Sequence, residues 1–149
     1  MDANNHIGRP ILIVEDSKAQ QTVLAALVEN FGFTPHVVSS AGEALEAVRV
    51  MLFAAIMMDI RMPDMDGFEC SRLIRQMERG NRRVPIIAVS AADRDKIFDA
   101  KCKAAGIDEC VSKPFEAEQH RRTLLRCTYS PAYPNLRLLP KANTKRTGT

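Results

Sequence analysis

Apolar residues along this chain fall into short runs separated by longer stretches in which they recur every three or four positions. The runs, some diluted by a polar residue, are "ILIV" at 11–14, "TPHVV" at 34–38, "AAIMM" at 54–58, "VPIIAV" at 84–89 and the weaker "DECV" at 108–111. A short, nearly continuous apolar run bounded by turn residues reads as a strand covered on both faces. The stretches between them read as helices. Ser17 can cap a first helix that turns Val23, Leu24, Leu27 and Val28 inward and stops at Gly32. "SAGE" at 40–43 is a capping box that opens a second helix burying Ala44, Leu45, Ala47 and Val48. A third helix spans about 68–79, with Phe68, Leu73, Ile74 and Met77 inward. Asp93 is placed to cap a fourth, Gly106 to end it, and a fifth spans about 116–127. Strictly alternating strands and helices predict an α/β domain, a five-stranded parallel sheet with helices on both faces.

Composition fits one such domain, since 149 residues with 46% hydrophobic content can bury a substantial core. No apolar stretch approaches the roughly 20 residues of a membrane helix, and the start "MDANNHIGRP" lacks the basic-then-apolar layout of a signal peptide. A cytoplasmic protein without membrane insertion is expected. Cys70, Cys102, Cys110 and Cys127 show no CxxC spacing, so reduced thiols are expected rather than disulfides or a zinc site. Net charge is +3, but the last 22 residues hold Arg137, Lys141, Lys145 and Arg146 and no acid, which leaves the rest slightly negative. Pro131, Pro134 and Pro140 oppose regular structure there, so 128–149 is expected to be a disordered, solvated tail. Four scattered charges do not make a nucleic-acid surface, and no nucleic-acid partner is expected. Residues 1–9 are expected to form an N-terminal extension and 10–127 the domain itself.

The chemistry lies where the strands end. "ILIV" runs into Glu15 and Asp16, "AAIMM" into Asp59, "VPIIAV" into Ser90, and "DECV" into Ser112 and Lys113. In an open parallel sheet all these ends share one edge, and ligands bind in the crevice beside it. Taken singly, each is an ordinary turn or cap residue. Together they bring three carboxylates, a hydroxyl and an amine to one place. Crowded carboxylates raise one another's pKa unless a cation lies between them, and Glu15, Asp16 and Asp59 suit the oxygen-seeking magnesium ion. With its charge partly neutralised, one carboxylate could attack phosphorus and form an aspartyl phosphate whose oxygens Ser90 and Lys113 would hold.

These segments resemble the receiver domains of two-component response regulators: "VEDS" their acidic pair, "MMDIRMPDMDG" their phosphoacceptor segment, "PIIAVSA" their hydroxyl-bearing strand and "VSKPF" their lysine–proline turn. The resemblance covers Pro10 to Arg126. It implies a flavodoxin-like (βα)5 fold with strand order 2-1-3-4-5. It further implies that Asp59 accepts a phosphoryl group from a histidine kinase or a histidine phosphotransfer protein. Magnesium would be held by Asp16, Asp59 and the main-chain carbonyl of Arg61, with Glu15 acting through a water. Ser90 and the N–H of Ala91 would receive phosphoryl oxygens, Lys113 would pair with them, and the Lys113–Pro114 bond would be cis. Such a domain signals, and its own phosphorylation and dephosphorylation are the chemistry it catalyses.

One position departs from the family pattern. Three residues before the lysine the family usually has an aromatic whose rotamer follows activation, and here stands Cys110, expected to be a small buried residue. Ser90 is retained, so a response to phosphorylation is expected near Ser90, with a small one around Cys110. Phe68, Phe98 and Phe115 are expected in the core. A phosphohydrolase of the haloacid dehalogenase type would use similar groups, but it needs a carboxylate two residues after the nucleophile, where this chain has Arg61. An interaction module that has lost phosphorylation is the other alternative. With only a helix and the tail after the last strand, output is expected to come from protein–protein binding, and "KCKAAGIDECVSKPF" resembles the receivers of hybrid kinases.

Overall fold

The computed structural model describes residues 8–80, 83–91, 95–113 and 116–128. Its elements alternate throughout: β1 (Ile11–Val14), α1 (Lys18–Asn30), β2 (Pro35–Val38), α2 (Ala41–Val50), β3 (Ala55–Asp59), α3 (Gly67–Met77), β4 (Ile86–Ser90), α4 (Lys96–Ala105), β5 (Glu109–Ser112) and α5 (Ala117–Thr128). The five strands pair in parallel in the order β2-β1-β3-β4-β5, as the resemblance implied.

The pleat sorts each strand's side chains between two cores. Leu12, Val14, Ile56, Met58, Ile86 and Ala88 pack against α2, α3 and α4 through Ala44, Ile74 and Phe98. Ile11, Ile13, Ala55, Met57, Ile87 and Val89 pack under α1 and α5 through Leu24, Val28 and Leu124. Burial on both faces is the physical reason β1, β3 and β4 are continuous apolar runs, whereas the edge strands β2 and β5 are only partly covered, which corrects the expectation for them.

Local signals set most helix starts. Ser17 caps α1, accepting the Gln20 N–H at 3.4 Å, and Gly32, at φ +94°, follows its end. Ser40 accepts the Glu43 N–H, while Glu43 reaches back to the Ser39 N–H at 2.7 Å. Asp66 caps α3 through the Glu69 N–H, which starts that helix at Gly67 rather than Phe68. The helix also ends at Met77, short of Arg79.

Several expectations need correction. Val23 is exposed, and the inward side of α1 is Gln21, Leu24 and Val28. Asp95, not Asp93, caps α4, accepting the Phe98 N–H at 2.8 Å; Asp93 lies outside the described residues. α3 buries Cys70 and Ser71 beside Ile74, while Leu73 and Met77 are half-buried. β5 begins at Glu109 because Asp108 is used otherwise: its carboxylate accepts the Ile86 N–H and binds Arg75 and Arg83. α5 extends one residue beyond Cys127, to Thr128. Phe98 is in the core, Phe68 meets it edge-on at 5.6 Å, and Phe115 lies outside the described residues. All four cysteines are free, and burial pushes the Cys70 and Cys127 thiols up to about 12.

Candidate phosphoacceptor site

Each candidate side chain stands where its strand runs out. Glu15 extends β1 by one residue, and its N–H donates to the Val38 carbonyl at 3.1 Å. Asp59 is the last residue of β3 and Ser90 the last of β4. The Lys113 N–H donates to the Ser90 carbonyl at 3.0 Å, which seats the lysine just past β5 and beside β4. Glu15, Asp59 and Ser90 are buried, whereas Asp16, Arg61 and Ala91 are exposed.

These ends form one cluster. Carboxylate oxygens of Glu15, Asp16 and Asp59 lie within 4.8 Å of one another. Lys113 Nζ is 3.3 Å from Asp59 Oδ1 and 3.6 Å from Glu15 Oε1. The Arg61 N–H also donates to Asp59 Oδ1, at 3.3 Å, and the Ser17 N–H donates to Glu15 Oε2 at 3.1 Å. Sequence reasoning therefore placed the acids and the amine together correctly. Pro114 lies outside the described residues, as does the geometry of its bond to Lys113. Cys110 sits inside β5 beside Ala88, only half-buried rather than buried.

Burial sets the electrostatics. Desolvation pushes Glu15 up to about 7, opposed by the Ser17 N–H and by Lys113 and reinforced by the Asp59 charge. Asp59 is raised as well, chiefly by burial, although Lys113 and the Arg61 N–H pull it down. One lysine does not balance three carboxylates. Glu15 Oε1 is moreover buried without a hydrogen bond. An all-oxygen donor set, an excess of negative charge and an unsatisfied buried oxygen together fit a hard divalent cation such as magnesium.

The response regulator receiver domain model matches residues 11–124. The chain belongs to the receiver family. Among curated proteins, this receiver is 36% identical over 115 residues to the hybrid signal transduction protein dokA of Dictyostelium discoideum, covering 76% of this chain and 7% of that protein. It is 35% identical to histidine kinase 3 of Arabidopsis thaliana, covering 85% of this chain and 14% of that one. The chain thus spans only a small part of these relatives' length. Among solved structures, the receiver domain of the sensor histidine kinase PA1611 from Pseudomonas aeruginosa PAO1, with magnesium coordinated in its active-site cleft, matches at TM-score 0.74 and 36% identity, over 83% of this chain and 99% of that one. The chemotaxis protein CheY4 of Vibrio cholerae, 24% identical with a TM-score of 0.71 over 80% of this chain and 98% of that one, shares the fold.

Sequence reasoning missed two residues that shape this receiver's site. Gly67, at the start of α3, lies against the end of β3: a Cβ there would be 2.5 Å from the Asp59 carbonyl oxygen and 2.9 Å from Ile60 Cα. Its N–H donates to the Ile60 carbonyl at 2.8 Å. A glycine directly after a capping aspartate gave no sign of this approach. Gln21 was the other. The signal was present, because 21, 24 and 28 share one helical face and a glutamine there interrupts an apolar stripe. Among the described residues no helix is long and apolar enough to cross a membrane.

Proposed function

We propose that Asp59 receives a phosphoryl group from the phosphohistidine of a histidine kinase or histidine phosphotransfer protein, and that the domain then signals by binding other proteins. One observation carries this reading: a buried carboxylate at a strand end, 3.3 Å from a lysine ammonium, with two further acids clustered around it. The Lys113 and Arg61 contacts both fall on Asp59 Oδ1, which makes Oδ2 the candidate nucleophile. In the transfer an Asp59 oxygen forms the new O–P bond as the N–P bond of the phosphohistidine breaks, and the imidazole nitrogen keeps the bonding pair. Lys113 pairs with the phosphoryl oxygens, and the Ser90 hydroxyl and Ala91 N–H at the neighbouring strand end receive the others. Asp16, Asp59 and the Arg61 carbonyl would hold magnesium, with Glu15 through a water, and the ion would neutralise the charge that phosphoryl oxygens bring to this acidic edge.

Incubation with acetyl phosphate and magnesium tests the assignment. Wild type should gain one phosphoryl group by mass, and Asp59→Asn none; undiminished labelling of the variant would end it. Arg61, two residues after Asp59, cannot serve as a phosphohydrolase's general acid. For the switch, half-buried Cys110 has too little area to transmit a shift as an aromatic would. A beryllofluoride mimic should therefore move amide signals near Ser90 and Ala91 much more than those of β5 and α5. Shifts of equal size across Cys110 and α5 would show that a cysteine suffices.

A further inference from the structure

Gln21 is buried on the inward side of α1, where an amide is unfavourable unless its polar atoms are bonded. Its Nε2 donates twice: to the Glu15 carbonyl at 2.6 Å and to Ser39 Oγ at 3.0 Å. A carbonyl can only accept, which fixes the NH2 group on that side. β2 ends at Val38, so no further strand residue lies beside the Glu15 carbonyl, and Gln21 takes that place. Ser39 is itself held, since its N–H donates to Glu43 in the capping box of α2. The peptide joining Glu15 to Asp16 is thereby anchored to α1 through the Gln21 amide.

This tie matters because the Asp16 side chain is exposed, and no hydrogen bond or ion pair to another described residue orients it. Its direction follows from its backbone, and Gln21 anchors the peptide just before it. We propose that Gln21 is a positioning residue for the cation site, holding the Glu15–Asp16 peptide so that the Asp16 carboxylate points toward Asp59. The inference rests on the reading of Glu15, Asp16 and Asp59 as the magnesium site.

Magnesium titration of the unphosphorylated protein, followed by amide chemical shifts, is the test, with urea unfolding in EDTA run in parallel. Gln21→Met keeps the side-chain length and removes both donors, and its magnesium Kd should rise roughly tenfold, the usual effect of losing a group that orients a ligand. Ser39→Ala leaves the bond to Glu15 and should bind magnesium as wild type does. Should Gln21→Met fail to fold, Gln21→Asn provides the measurement, because its amide is one methylene too short for the Glu15 carbonyl and should also weaken binding. Folded Gln21 variants with wild-type affinity, however much stability they had lost, would overturn the proposal. So would an equal loss in Ser39→Ala, which would mark a general loosening of the edge. A wild type that does not bind magnesium would instead overturn the reading of the site itself.

Discussion

Replacing Glu15 by glutamine should make the metal-free protein more stable. Glu15 is 1% exposed, and its pKa rises from the ordinary 4.5 to about 7 because burial disfavours the charged form. At 1.36 kcal/mol per pH unit, that difference amounts to about 3 kcal/mol of strain from holding the carboxylate ionised in the folded protein. The sign follows from proton binding. Between 4.5 and 7 the folded protein holds a proton on Glu15 that the unfolded chain has lost, so this group's contribution falls as pH rises through that window and is flat above it. Glutamine keeps an oxygen for the Ser17 N–H, and Lys113 keeps Asp59. The variant should therefore match wild type near pH 4.5 and gain about 3 kcal/mol at pH 8. The chain has no tryptophan, so urea unfolding in EDTA is best followed by far-ultraviolet circular dichroism. Millimolar magnesium should shrink the gain, because a ligand bound only by the folded state stabilises whichever protein binds it better. A variant no more stable than wild type at pH 8, or one equally favoured at both pH values, would refute the reasoning.

Two further outcomes follow from the packing. Gly67→Ala should cost about 2–3 kcal/mol in denaturant unfolding, because the new Cβ meets the Asp59 carbonyl and Ile60 Cα, backbone atoms that cannot swing aside. His120, buried in α5 with Nδ1 3.0 Å from the Glu116 carbonyl, has its pKa lowered, chiefly by burial. The unfolded chain then binds a proton that the folded protein refuses, so its contribution is complete above about pH 6.5 and declines on acidification below it. His120→Gln should lack that decline, and parallel slopes for the two proteins between pH 7 and pH 5 would contradict it.

The amino-acid pattern by itself determined the alternation of strands and helices and the gathering of acids and an amine at one edge of the sheet, while the strand order came from the family resemblance. Strands covered on both faces must be apolar throughout, and Ser17, Ser40 and Gly32 act on backbone groups only a few residues away, so these features are written locally. Convergence of Glu15, Asp16, Asp59, Ser90 and Lys113 followed as soon as the sheet was taken as parallel, because parallel strands share their carboxyl edge. Tertiary structure decided the rest. Periodicity gave α1 an apolar stripe but not its phase, and contact with the sheet turned Val23 out and Gln21 in. Asp108 left the fifth strand because Arg75, Arg83 and the Ile86 N–H, all distant in sequence, converge on its carboxylate. Glu15 and Asp16 are adjacent acids in the sequence. Only burial distinguishes them, withdrawing Glu15 from water while Asp16 stays in it, and burial exists only once the chain has folded.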